Sequence, residues 1–240
     1  MIQTIVTHHC PKCGSENLIK NGHDYKGAQK YHCKQCDSYG TLQARQGYDA
    51  RTRGQVQRAV LERVSLRGIA RVFGLSRRTV ARWIEQWAAC LPPLEMTLVA
   101  AQVDDVLELD EAWSFVLKKD NKRWVWVALC RRTRQIVAYF IGNHSEASCL
   151  HLWRRIPRDY TRCYSFSDFW ATYQAIFDRS RHQSVGKDSG QTNHIERWFN
   201  TLRQRLARFV RKTLSFSKSD KFHELVFQLF VHHYNLACIS

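Results

Sequence analysis

The sequence predicts a multidomain α+β protein: a small zinc-ribbon module, then a three-helix module, then a larger α/β domain. Three observations carry this reading. Two Cys-x-x-Cys knuckles lie within the first 36 residues, a helical apolar period runs from Arg51 to Trp87, and short apolar runs separated by charged turns follow Pro92-Pro93. The length of 240 residues, with 44% hydrophobic and 12% aromatic content, suffices for such an arrangement and excludes a peptide, a fibre or a disordered tail.

Cys10-Pro-Lys-Cys13 and Cys33-Lys-Gln-Cys36 are separated by 19 residues, a spacing found in four-thiolate zinc sites. Each knuckle offers two thiolates from one tight turn, and the glycines at 14, 22 and 27 leave room for a hairpin that closes the tetrahedron. Residues 1–45 therefore read as a zinc module with Cys10, Cys13, Cys33 and Cys36 as ligands. A pair of redox dithiols is the alternative, but no βαβ pattern supports it; His8, His9 and His32 are substitute ligands within reach. The other five thiols, Cys90, Cys130, Cys149, Cys163 and Cys238, have no ligand spacing and read as small buried hydrophobes. An odd total of nine argues against a disulfide framework. No apolar run approaches the ~18–20 residues that span a bilayer, and Met1 to His9 lacks a secretory apolar region. The expected location is cytoplasmic and away from membranes.

From Arg51 the period becomes helical. Val56, Val60 and Val64 recur every four residues, Leu66 to Phe73 forms a second short helix, Gly74-Leu75 a turn, and Ser76 caps a third helix. Val80, Trp83, Ile84 and Trp87 then form a complete apolar stripe, which leaves Arg77, Arg78 and Arg82 on the outer face. A short helix, a Gly turn and an arginine-rich helix constitute a helix-turn-helix over residues 50–90, so these three arginines are expected to contact DNA. A plain helical hairpin with a solvated basic face is the alternative.

Pro92 and Pro93 end that helix and mark a boundary near residues 90–100. Val106 to Phe115, Arg123 to Leu129 and Gln135 to Ile141 then read as an antiparallel meander, residues 145–156 as a helix, and Cys163 to Ser167 as a strand ending at Asp168. A helix carrying Trp170, Tyr173 and Phe177 follows. A long helix begins near Asn193, with Ile195, Trp198, Phe199, Leu202, Leu206 and Phe209 on its core face. Beside that face, Asn193, Glu196, Asn200 and Arg203 form a polar stripe. Asn193-x-x-Glu196 also has the form of a capping box, in which the glutamate only satisfies a backbone donor. A last packing helix follows Ser219, with His232 and His233 as satisfied partners near its end.

The charge balance points to a polyanionic partner. Lys and Arg number 37 against 21 Asp and Glu, a net +16, and the pI is about 9.7. Residues 1–100 carry 15 basic and 7 acidic side chains, residues 101–190 carry 14 and 11, and residues 191–240 carry 8 and 3. Basic flanks around a locally acidic centre suit an enzyme that holds phosphates outside and cations inside.

Leu109-Asp110-Glu111-x-Trp113, Ser167-Asp168-x-Trp170, and the stretch from His194-Ile-Glu196 through Leu202-Arg203 and Leu206-Ala-Arg208 to Ser-Phe-Ser-Lys-Ser219 resemble the transposase family of bacterial insertion sequence 1. The resemblance runs in order over nearly the whole chain. It implies a zinc finger and helix-turn-helix joined to a ribonuclease H-like α/β catalytic domain over residues 100–240, with an Asp-Asp-Glu triad. Carried over by position, the triad is Asp110, Asp168 and Glu196. Arg203, two helical turns beyond Glu196, is implied as a phosphate-contacting cation, and Arg208 in the same matched stretch joins it as a DNA-binding residue. Phe169 stands where a glycine is expected, and the acidic cluster Asp104, Asp105, Glu108 and Glu111 leaves the first ligand open. Glu108 shares a strand face with Asp110.

The chemistry explains the residue types. Cutting a DNA phosphodiester and joining the 3′ hydroxyl to a new strand is an in-line displacement that two divalent ions ~3.5–4 Å apart stabilise. Three carboxylates can hold Mg²⁺ or Mn²⁺ there. A tyrosine recombinase would need an arginine-histidine setting around Tyr160, Tyr164 or Tyr173, and none is present. The expected partners are double-stranded DNA, as terminal inverted repeats and target, and a second copy of the chain, since synapsis of two ends needs at least a dimer. A zinc-ribbon and helix-turn-helix repressor, or a transposase relic that no longer catalyses, are the alternative functions.

Overall fold

The computed structural model describes residues 6–25, 27–42 and 47–239 and divides into two compact units, Met1–Ala50 and Arg51–Ser240. The expected module end at residue 45 lies outside the described residues. In the first unit, β1 (Leu18–His23), β2 (Gln29–Cys33) and β3 (Tyr39–Thr41) form an antiparallel sheet in that order. Cys33 at the end of β2 is buried, as is Cys10, which precedes β1.

The second unit opens with α1 (Ala50–Val60), α2 (Leu66–Phe73) and α3 (Arg77–Ala89). α1 ends at Val60, so Val64 lies beyond it and is 37% exposed. Ser65 and Ser76 cap α2 and α3 by accepting the N–H groups of Gly68 and Thr79. Gly74 closes α2 with φ 65°, the left-handed conformation that costs a glycine least. Val80, Trp83 and Ile84 are buried, while Arg77, Arg78 and Arg82 are exposed on the opposite face of α3.

A five-stranded sheet follows, built from β4 (Val106–Phe115), β5 (Lys122–Cys130), β6 (Ile136–Gly142), β7 (Tyr164–Ser167) and β8 (His182–Ser184). Its order is β6-β5-β4-β7-β8, with β6, β5 and β4 antiparallel to their neighbours and β4, β7 and β8 parallel. The crossovers use α4 (Glu146–Arg155) and α5 (Ala171–Ile176), and the chain ends with α6 (Asn193–Arg205) and α7 (Asp220–Ala237). This mixed sheet with helices on both faces matches the α/β fold class that the resemblance implies.

Alternation along the central strands assigns the faces. Leu107, Leu109, Trp126, Ala128 and Cys130 pack toward α4 and α5, whereas Ala112, Val125, Val127 and Leu129 pack toward α6 and α7. The second core continues into the helical module: Val56, Ile69, Val80 and Trp83 belong to the same buried cluster as Trp198, Phe227 and Phe230. Residues 51–90 therefore share one compact unit with the sheet. His232 secures the Pro92 turn within it, its ring nitrogens lying 2.9 and 2.8 Å from the carbonyl oxygens of Gln228 and Pro92. α6 stops at Arg205, because Leu206 turns to extended backbone before one 3-10 turn over Ala207–Phe209. Leu206 and Phe209 stay buried, so the apolar face outlasts the helix.

Candidate active site

β4 and the residue just before it carry several acids, and their partners separate them. Asp105 is buried and bound by Arg132 through bonds of 2.6 and 2.8 Å. The guanidinium first, and the Gln102 N–H further, hold its carboxyl below the usual range. Glu108 is fully buried and takes Arg131 Nε at 2.9 Å and His194 Nδ1 at 2.6 Å. Glu111 points to the other face, where it accepts Tyr173 Oη at 2.6 Å and His144 Nε2 at 3.2 Å. Burial is the main cause that raises Glu111 above the ordinary carboxylate range, and the Asp168 charge adds to it. His144 itself is stacked between the indoles of Trp124 and Trp170 at 4.2 and 4.3 Å.

Asp110 has no such partner. Its carboxylate accepts only the Glu111 backbone N–H, at 2.8 Å, and forms no ion pair with a described residue. Burial first, then the charge of Glu111 and those of Asp168 and Glu196, push its pKa up to about 8. Asp168 lies one residue past β7, where its Oδ1 accepts the Trp170 N–H at 3.1 Å. Glu196 sits one turn into α6, and its carboxylate makes no hydrogen bond or ion pair with a described residue. The capping-box reading therefore fails: α6 is flanked by Thr192 without a side-chain cap, and the first-turn donors of His194 and Ile195 go to Glu108.

Asp110, Glu111, Glu196, Asn200 and Arg203 line one cavity of about 160 Å³, with Ala112 and Phe199 as its apolar wall. Glu196, Phe199, Asn200 and Arg203 reach it because they lie at i, i+3, i+4 and i+7 on α6. The Arg203 guanidinium lies 5.9 Å from the Phe199 ring centroid and forms no ion pair with a described residue. Burial and the neighbouring Arg211 charge lower its pKa, against the pull of Asp110. The oxygens of Asp110, Asp168 and Glu196 are not all within 4.8 Å of one another, as ligands crowded on one ion would be. Two ions ~3.5–4 Å apart need a wider set of flanking oxygens. Three carboxylates that form no ion pair with a described residue, one of them, Asp110, raised chiefly by burial and further by the neighbouring acids, offer the hard oxygen ligands a divalent cation takes.

In the first unit Cys10, Cys13, Cys33 and Cys36 bring their sulfurs within 4.8 Å of one another. The Cys10–Cys36 and Cys13–Cys33 pairs are 3.7 and 3.6 Å apart. A tetrahedron with Zn–S bonds of ~2.3 Å has an edge of about 3.8 Å. The Lys12 N–H, 3.4 Å from Cys10 Sγ, is the main cause that lowers this thiol's pKa to about 6, toward the thiolate a metal binds. His32 is not part of the cluster; it bonds to Asp37 at 2.6 Å and stacks on Tyr39.

The predicted DNA-facing cations divide into two groups. Arg77, Arg78 and Arg82 are exposed on α3. Arg208 is half-buried and donates to the Phe222 carbonyl at 3.3 Å, and burial pulls its pKa down to about 10. It lines a cleft of about 480 Å³ between α2, α3 and the segment after α6. Arg63, Arg67, Arg77 and Lys218 line the same cleft and no acid does. Arg63 was not singled out by sequence reasoning; its Nη1 donates to the carbonyls of Arg203 and Gln204 at 3.4 Å, which joins the cleft to the helix that carries Glu196. Among the described residues, no helix is long and apolar enough to cross a membrane.

Residues 104–236 match the family model of IS1 transposase, residues 48–92 that of a homeodomain-like domain, and residues 4–37 that of the InsA N-terminal domain. The chain is 35% identical over 126 residues to the insertion element iso-IS1n protein InsB of Shigella dysenteriae, an alignment covering 52% of this chain and 93% of that protein. It is 34% identical over 119 residues to the IS1 protein InsB of Shigella flexneri, covering 50% and 88%. It is 30% identical over 158 residues to the IS1 protein InsB of Escherichia coli, covering 63% and 92%.

Proposed function

Because this chain belongs to the IS1 transposase family, we propose that it binds the terminal inverted repeats of its element and catalyses metal-dependent DNA strand cleavage and strand transfer. The reading is supported by Asp110 on β4, Asp168 after β7 and Glu196 on α6 forming no ion pair with a described residue, and by the charges of Asp168 and Glu196 acting on Asp110, while Glu108 and Glu111 of β4 are bound by protein donors. In this reading the three carboxylates hold two divalent cations, Mg²⁺ or Mn²⁺, and the four cysteines hold a structural Zn²⁺. Divalent cations bound there would stabilise the attacking and leaving oxygens of an in-line displacement at phosphorus.

The remaining work falls to side chains. Arg203, which forms no ion pair with a described residue, lines the cavity and receives a substrate phosphate, and Asn200 beside it offers an amide donor. Tyr173 and His144 engage the Glu111 carboxylate, so that this acid is already bound by protein donors. On α3, Arg77, Arg78 and Arg82 contact the element's ends, and the acid-free cleft with Arg63, Arg67, Arg208 and Lys218 carries the DNA backbone onward. Two ends must be brought together, so the working form is at least a dimer, associated with DNA in the cytoplasm.

A strand-transfer assay on a duplex bearing the terminal repeats, with Mg²⁺ or Mn²⁺ supplied, tests this reading. Joining by the wild type that disappears in Asp110→Asn and Glu196→Gln, with end binding retained, supports it. Binding without joining by the wild type leaves a repressor or an inactive relic.

A further inference from the structure

Glu108 is a buried acid that the reaction as described does not use, yet it holds the helix that carries Glu196. Its carboxylate is 0% exposed and accepts four donors. Oε1 takes Arg131 Nε at 2.9 Å and His194 Nδ1 at 2.6 Å, and Oε2 takes the backbone N–H groups of His194 and Ile195, both at 3.0 Å. Those two amides are the second and third positions of α6, the donors that an N-cap side chain ordinarily satisfies. Thr192, at the cap position, supplies no side-chain bond. Arg131 also donates through Nη2 to the Gln191 carbonyl at 2.7 Å, which ties the segment leading into α6 to the same knot.

The placement matters because of what lies on either side. Glu108 shares the α6-facing side of β4 with Asp110, two residues on, and Glu196 immediately follows the clamped Ile195. One carboxylate therefore spans the gap between the strand bearing the first acid and the helix bearing the third. With its lone pairs turned to four donors, it is filled as an acceptor and has nothing left to offer a cation.

We infer that Glu108 is a positioning residue: by capping α6 from across the sheet it sets the separation of Glu196 from Asp110, and with it the affinity of the carboxylate site for divalent cations. This rests on the function proposed above. A glutamine at 108 keeps the shape but replaces one oxygen by an NH₂ group, which confronts either the two amides or the Arg131 and His194 donors. The helix start is then released from the strand.

The test uses the full, zinc-loaded chain with Mn²⁺ titrated by electron paramagnetic resonance, alongside end binding, strand transfer and urea unfolding. Glu108→Gln is expected to bind DNA ends as the wild type does, while Mn²⁺ affinity falls about 10–100-fold, the range for lost support of metal ligands, and strand transfer falls with it. Adding Thr192→Asp gives α6 a local cap for the same two amides without restoring the tether to β4. The double variant is expected to recover the urea midpoint but not the Mn²⁺ affinity, and it replaces the single variant if that one does not fold. Mn²⁺ affinity and transfer within about twofold of wild type in Glu108→Gln, or their recovery together with stability in the double variant, would overturn the inference. Failure of both chains to fold would assign Glu108 to general stability and overturn it too. A wild type that binds no Mn²⁺ and joins no ends would instead remove the underlying reading of function.

Discussion

Replacing His223 by Gln isolates one buried base in the core beside α6. His223 is fully buried on α7, with Nε2 2.9 Å from Ser114 Oγ and Nδ1 2.8 Å from Ser217 Oγ. Burial chiefly, then the charge of Arg208, lowers its pKa from 6.5 to about 3, with Asp220 opposing and Arg123 adding to the shift. The folded protein thus keeps the ring neutral, whereas the unfolded chain takes up a proton near pH 6.5. The stability this group contributes is full above pH 6.5 and is lost as the pH falls from there toward 3. One pH unit within that window removes about 1.4 kcal/mol, so between pH 6.5 and pH 5 the wild type loses about 2 kcal/mol through His223. The Gln variant has nothing at this position to titrate. At pH 7.5 it is expected to be less stable than wild type by about 1–3 kcal/mol, from imperfect bonds to the two serines. At pH 5 that gap shrinks by about 2 kcal/mol. Urea unfolding followed by tryptophan fluorescence measures this cleanly, because all eight Trp lie beyond residue 50 and report the second unit alone. A gap that stays constant from pH 7.5 to pH 5 refutes the reasoning.

Chelation of zinc is expected to unfold the first unit while leaving the tryptophan-reported urea midpoint of the second unchanged, since the two cores are separate. A circular dichroism change without a fluorescence change is the signature, and a shifted midpoint would contradict it. Changing Arg77, Arg78 and Arg82 together to Gln should weaken end binding and reduce the salt slope by about 2.7, three phosphate contacts at ~0.9 each. An unchanged slope in a titration of affinity against salt would show that these arginines face solvent only.

What the sequence made legible was local. The two thiol pairs, the stripe of Val80, Trp83 and Ile84, the cap at Ser76, and the apolar runs of β4 to β6 all express short-range rules, and each matches its element. The misses have long-range causes. Leu206 and Phe209 continue the apolar face of α6 and are buried, yet the helix ends at Arg205, because periodicity reports burial and not hydrogen bonding. β8 is three residues long with a polar sequence, too short for alternation to register. The Pro92-Pro93 break marks the end of α3, but it carries no sign that α3 then packs on α7 in a common core. Within the site, the choice among Glu108, Asp110 and Glu111 depends on donors up to 87 residues distant, His194 and Ile195 for Glu108 and Tyr173 for Glu111. Shared strand parity cannot reveal which acid is already satisfied. The capping-box pattern stayed open in the sequence for the same reason, because the cap arrives from β4 and not from Asn193 or Glu196.

Iron-directed cleavage of the polypeptide tests the gathering of the three acids most directly. Fe²⁺ substituted for Mg²⁺ in the zinc-loaded chain, with ascorbate and peroxide added, generates hydroxyl radicals that cut backbone next to wherever the ion is held. The account predicts cuts clustered near residues 110, 168 and 196, suppressed by excess Mg²⁺ and lost in Asp110→Asn. Cuts confined to other acidic segments, or a wild-type pattern that survives Asp110→Asn unchanged, would contradict it.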